Sequence, residues 1–183
     1  MKIRQGLVSN SSSSSFLLFL DEIPETKEEV KELLFPGEEI FGNPFFWGSE
    51  PRGWPIDSVV DIIHADFQNA TRLGEEEILE KLTSGWLTEV DPGWETWDQI
   101  RELGPRPEFE DKEAFSKWRE SLEDLHKQHE KESLELARIY RKTLPYSNVV
   151  ISVCYGDEDG ALYSAIEHGE TFRNVEHIAI SHH

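Results

Sequence analysis

The sequence predicts an α+β fold, or a small α/β one: a sheet of about three strands with a long, mostly helical region inserted after its first strand. Three observations carry this. Asn148–Tyr155, NVVISVCY, is a near-continuous apolar run of the kind that makes a strand buried on both faces. It is followed by a short helical pattern and a second apolar-alternating run, VEHIAISHH, which together read as strand–helix–strand. Between Asp111 and Pro145, Phe115, Trp118, Leu122 and Leu125 recur at heptad-like spacing, resumed at Leu136 and Ile139, as one long helix requires. A single domain over 1–183 is expected. Residues 16–20 and 148–183 form its sheet unit, and 25–146 form the insertion.

In chain order, Phe16–Leu20 is a short buried strand, ended by Asp21 to Pro24. Thr26 and Glu29 have capping-box spacing, so a helix is expected from Lys27 to Phe35. Residues 35–55 mix prolines and glycines with Phe41, Phe45, Phe46, Trp47 and Trp54. They exclude a regular element yet are too aromatic for a solvated linker, which leaves an ordered loop, a substrate lid or a partner-binding loop. Asp57 is placed to cap a helix running to about Leu73. Glu75–Thr83 is a second helix, and Trp86–Gly104 is expected to be irregular. In the long helix, 111–144, the stretch HKQHEKES puts His129 and Glu132 on the apolar seam, so the helix bends there or leaves the core. His126, His129 and Glu130 have metal-ligand spacing, against the plainer reading of a solvated helix face. Asp57, Asp61, His64 and Asp66 read as surface.

The C-terminal strand–helix–strand unit permits a parallel crossover. That geometry would put Asp157, Glu158 and Asp159 at the carboxyl end of one strand, and His182 and His183 at the carboxyl end of its neighbour. His168, at the end of the crossover helix, and His177, early in the last strand, would lie at the opposite edge. Carboxyl ends of parallel strands are where α/β proteins place sites. Asp157, Asp159, His182 and His183 are therefore the candidate catalytic or metal-binding residues, with zinc or manganese as the expected ion. His168, Glu170 and His177 form the alternative site, and Glu167, His168 and His177 are further candidate binding residues. The plain reading of each histidine is a strand-edge group hydrogen-bonded to backbone. Asp157–Gly160 does not match an EF-hand, because its glycine comes too early.

Five consecutive serines, Ser11–Ser15, run into the first strand. They are either a flexible linker or a site-lining segment. If the first strand is antiparallel to the last, Ser9–Ser15 lie beside His182 and His183; if parallel, they lie beside His168 and His177. In either case Asn10, Ser11, Ser12 and Ser13 are candidate binding residues whose hydroxyls and backbone N–H groups suit an anion.

Composition excludes several classes. With 37 acidic against 18 basic residues and a net charge of −19, the chain repels phosphate backbones, which disfavours direct nucleic-acid binding. The single cysteine, Cys154, precludes an intramolecular disulfide, suits a reducing compartment and is expected to be a buried structural thiol. No apolar stretch approaches a membrane span, and the N-terminus is a poor signal peptide. P-loop, HExxH and nucleophile-elbow motifs do not occur.

Two stretches carry a resemblance. KIRQGLVSNSSSSSF resembles the start of a family of bacterial and phage proteins that open on a basic-Gly-Phe-Val-Ser-Asn-polySer-Phe pattern, and EHGETFRNVEHIAISHH resembles the end of its members. Matching positions are Arg4, Gly6, Val8, Ser9, Asn10, Ser11 to Ser15 and Phe16 at one end. At the other they are Glu167, His168, Gly169, Phe172, His177, Ser181, His182 and His183. Leu7 stands where Phe is expected. The resemblance implies phage or prophage association, hence the bacterial host cytoplasm or a virion, and assigns no catalytic role. The residues themselves lead to two expected functions. One is a small metal or acid–base enzyme, of the kind that hydrolyses a phosphorylated or nucleotide-like substrate. The other is a non-enzymatic acidic protein that binds a host or virion partner, as an inhibitor or nucleic-acid mimic.

Overall fold

The first strand, β1, is Ser13–Leu20 and sits in the middle of a three-stranded sheet. In the computed structural model, residues 13–45, 52–92, 94–156 and 159–182 are described. They form an α+β fold with six helices and five strands in two small sheets. The strand is three residues longer than its apolar run suggests. Ser13, Ser14 and Ser15 continue the ladder because β4 (Val149–Gly156) and β5 (Glu176–Ser181) extend past Phe16 on either side of them. Serine has little preference of its own for a strand, but the two flanking strands supply hydrogen bonds to both edges of the backbone.

Both β4 and β5 run antiparallel to β1, so they share one direction. The order is β4-β1-β5. The crossover through α6 (Ala161–His168) therefore joins two strands of the same direction, as expected, but they are not neighbours: β1 lies between them. A central position buries β1 on both faces, and Phe16 through Leu20 are all buried.

The chain divides into two compact units, Met1–Ile78 with Pro145–His183, and Leu79–Leu144. In the first, the core joins one sheet face (Phe16, Leu18, Leu20, Ile151, Val153, Tyr155) to α1 (Lys27–Leu34), α2 (Ile56–Asn69) and α6. Helix α1 carries the expected capping box: Thr26 accepts from the Glu29 N–H and Glu29 accepts from the Thr26 N–H. Lys27 pairs with Asp61 and Lys31 with Asp57, each at 2.6 Å. The two pairs run in opposite order along the helices, so α1 and α2 pack antiparallel. Asp57 is thus a salt-bridge residue in the first turn; the residue before α2 is Pro55, which makes no side-chain cap. The helix ends at Asn69, short of Leu73, because Leu73 turns to donate its N–H to Val150. The aromatic loop contains a small hairpin, β2 (Ile40–Gly42) with β3 (Gly53–Pro55). Phe46 and Trp47 lie outside the described residues.

In the second unit, α3 (Glu75–Thr83, shared with the first) is followed by a 3-10 turn at Thr88–Val90. Helix α4 (Trp94–Glu102) occupies much of the stretch expected to be irregular. The long helix α5 (Lys112–Arg141) is capped by Asp111, which accepts from the Ala114 N–H. It runs through HKQHEKES as one continuous helix; the expected seam, Phe115, Trp118, Leu122, Leu125, His129, Glu132 and Leu136, is half-buried, and Ser133 and Ala137 are the fully buried positions among the described residues. Ile139 is exposed. His126 is exposed, whereas half-buried His129 faces Asp91 at 4.0 Å.

Candidate functional site

Strand alternation sends neighbouring serines to opposite faces of the sheet. Ser14 shares a face with Tyr155 and Ser181, its partners in register. Ser15 shares the other face with Cys154 and Ile180. Each hydroxyl has a different partner. Ser14 donates to Glu167 Oε1 at 2.9 Å, and Ser15 Oγ hydrogen-bonds His182 Nε2 at 2.8 Å. The His182 N–H donates to the Ser13 carbonyl at 2.9 Å, which extends the β5 ladder and fixes the His182 backbone beside the serines.

Glu167 is the most unusual group at this end of the sheet. Its side chain is fully buried, and Oε2 makes no hydrogen bond. That oxygen lies 3.6 Å from His168 Nε2. Ser181 Oγ and the Tyr155 hydroxyl, on the same sheet face, are also buried without a hydrogen bond. Most buried polar atoms are satisfied, so three such atoms around one strand end mark a place the fold keeps polar at a cost. Burial, and then the Asp66 charge, push the Tyr155 hydroxyl well above its usual range; burial also raises the Asp66 carboxyl.

The His168 ring is partly exposed and meets the Phe45 ring edge-on at 5.1 Å. It lines a cleft of about 410 Å³ together with Glu38, Phe41, Asn43, Glu170 and Arg173. Arg173 is ion-paired with Glu38 and lies 3.6 Å from Glu170. A second cleft, about 460 Å³, lies at the Leu20 end of β1 and carries Asp21, Glu22, Glu29 and Glu176. It is about 20 Å along the strand from Ser14 and shares no residue with the serine end.

The expected separation of His168 from the serines does not occur. Helix α6 has only eight residues and rises about 12 Å. It cannot span the eight-residue strands it packs on, so its last turn reaches Ser14 rather than the far edge. His177 does lie away from this end, paired in register with Leu18. Its Nδ1 bonds the Val175 carbonyl at 3.0 Å and its ring packs by Phe16 and Phe172, a structural arrangement. Ser13 contributes its backbone. Asp159 is exposed before α6. Asn10, Ser11, Ser12, Asp157 and His183 lie outside the described residues. Among the described residues, no group of three or more His, Cys, Asp or Glu could hold a metal ion.

Cys154 is exposed, not buried. It lies near the end of β4 on the face opposite the main core, where alternation takes it out of the apolar run. Asp66, read from the sequence as surface, flanks buried Tyr155 instead. The apolar spacing of α2 puts Ile63 and Phe67 inward and leaves Asp66 beside them, but the partner Tyr155 is 89 positions away and has no local signal.

No family model, curated protein or solved structure matches this chain.

Proposed function

We propose that the serine end of the sheet is an acid–base site of hydrolase type, in which His168 transfers the proton. The observation that carries this reading is the buried Glu167 carboxylate, held by Ser14 through one oxygen and set 3.6 Å from His168 through the other. A carboxylate beside an imidazole orients the ring. The separation exceeds a hydrogen bond, and such contacts in ligand-free sites commonly tighten when substrate binds. In this reading the His168 imidazole takes a proton from water as the resulting hydroxide adds to the substrate. The imidazolium then returns that proton to the leaving oxygen. Glu167 and Ser14 are positioning residues. Ser15 and His182 hold the two strand ends together on the opposite face.

Turnover assays on chromogenic carboxylate esters, phosphate esters and glycosides test it. They are run with and without zinc or manganese, since Asp157, Asp159, His182 and His183 are the expected metal ligands. His168→Asn is expected to lose about 10²–10⁴-fold in rate, and His182→Asn to keep most of it. No turnover above the buffer blank, or full activity in His168→Asn, contradicts the proposal.

A second reading, an acidic protein that binds a basic host or virion partner, is favoured by Trp86, Phe109 and Ile139 in the second unit. These are 60%, 70% and 62% exposed. Large exposed apolar side chains amid acids are what a partner with a basic, apolar surface would cover. Retention of a host or virion partner that weakens as salt rises supports it; retention unchanged in Trp86→Ala and Phe109→Ala variants contradicts it.

A further inference from the structure

We infer that the cleft beside His168 takes a neutral, polyhydroxylated ligand of the saccharide class, an inference that rests on reading this end of the sheet as the functional site. Charge argues first. Arg173 is the one Lys or Arg among the described residues lining the cleft, and Glu38 and Glu170 already share it. A phosphate or carboxylate ligand would have to displace one of these acids while facing the other, with the Glu167 carboxylate also close behind His168. The cleft thus disfavours the anionic substrates that a lone exposed guanidinium would recruit.

Hydrogen-bonding pattern argues second. The guanidinium offers donors, the two carboxylates beside it offer acceptors, and the imidazole can do either. A hydroxyl both donates and accepts, so vicinal hydroxyls can lie across the paired guanidinium and carboxylates and match both without separating them. An ammonium would meet Arg173, and a purely apolar ligand would strand all of these groups.

Shape and apolar surface argue third. The volume, about 410 Å³, lies within the usual range of small-molecule sites, about 300–1,000 Å³. Phe41 lines the cleft, and Phe45, 42% exposed, stands against His168. The exposed Phe45 ring gives the C–H face of a sugar an apolar surface while its hydroxyls meet the acids and the arginine.

Calorimetric titration of the full chain with neutral trisaccharides of glucose and N-acetylglucosamine, with inorganic phosphate and with spermidine tests the inference. Saturable binding of at least one trisaccharide is expected, weakened about tenfold in Phe45→Ala and in Arg173→Met, roughly the loss of one charged hydrogen bond for the latter. Both side chains are partly exposed, so both variants are expected to keep the urea midpoint of the parent. Binding of phosphate or spermidine in place of the saccharides overturns the ligand class while leaving the acid–base reading standing. Saccharide binding with no turnover loss in His168→Asn supports the ligand class and contradicts the acid–base reading. Binding of none of the probes, or saccharide binding unchanged in both variants, overturns the inference.

Discussion

Ser14 and Glu167 are 153 positions apart in the chain, and their side chains meet at 2.9 Å in the interior of the first unit. The bond joins the middle strand of the sheet to the last turn of the crossover helix. It gives a fully buried carboxylate its one hydrogen bond among the described residues. Ser14→Ala should therefore cost about 1–3 kcal/mol, the price of leaving a buried acceptor unpartnered. Glu167→Leu in the Ser14→Ala background should recover part of that loss, because it removes the stranded charge together with its partner. Urea unfolding of the two single variants and the double variant provides the cycle. Strict additivity would mean the two side chains are not coupled.

The neighbouring hydroxyl should behave differently. Ser15 bonds the half-buried His182 on the other sheet face. Ser15→Ala should cost about 0.5–1.5 kcal/mol, the usual net worth of such a bond. Because that face holds no Glu167, Ser15→Ala should leave turnover at His168 unchanged. A larger effect on turnover from Ser15→Ala than from Ser14→Ala would reverse the assignment of the two faces.

How much of this was legible in the sequence follows from which interactions are local. The α1 capping box, helix α6 and the three-strand sheet were legible, because each rests on residues a few positions apart or on a run of apolar side chains. The choice between the two directions of β1 stayed open until tertiary pairing closed it, and that choice put Ser15 beside His182. The contact between Ser14 and Glu167 was not legible. The apolar run places the strand only at Phe16–Leu20, outside Ser14, and only the short rise of α6 decides which strand residue its last turn meets. Cys154 was misjudged for a related reason: an apolar run reads as buried throughout, while strand alternation still exposes a position near its end. Helix α4 was hidden by Pro92 and Gly93 before it, which read as a turn in the sequence, and by the glycine and prolines that follow.

The exposed thiol gives a simple check on strand β4. Native protein should react with a thiol reagent such as dithionitrobenzoate at one equivalent per chain, at a rate close to that of the urea-unfolded chain. Protection that disappears only on unfolding would place Cys154 inside the core and shift the register of β4 by one residue.

Tyr155 supplies a pH dependence with a definite sign. Its pKa is raised in the folded state, first by burial and then by the Asp66 charge. A group with a raised folded pKa contributes stability that is complete below its unfolded pKa, about 10. That contribution is lost as pH rises toward the folded value. Parent protein should therefore lose stability above about pH 10, and Tyr155→Phe should lose less over the same interval. At neutral pH the variant should cost no more than about 1.5 kcal/mol, because the hydroxyl it removes stands beside Asp66. Thermal unfolding between pH 8 and 11 measures both. Identical alkaline limbs would show that the hydroxyl is not shielded from water.

Gly169 closes α6 next to His168, where its N–H donates to the Ala165 carbonyl at 2.8 Å. A Cβ at this position would lie 2.5 Å from that carbonyl oxygen and 2.8 Å from Phe41 Cζ. Backbone on one side and a buried ring on the other leave little room to yield. Gly169→Ala should cost about 1–3 kcal/mol and should also impair turnover, because the helix end that carries His168 has to move. Unchanged unfolding midpoints would argue that α6 does not pack on Phe41 as described.

The most direct test of the central claim compares parent and Glu167→Gln on whichever chromogenic substrate the parent hydrolyses. The exchange keeps the shape and the ability to accept from Ser14 but removes the charge beside His168. The account predicts a fall in kcat of at least about tenfold with little change in KM, and an unfolding midpoint near that of the parent. An unchanged kcat in a folded Glu167→Gln protein would contradict it.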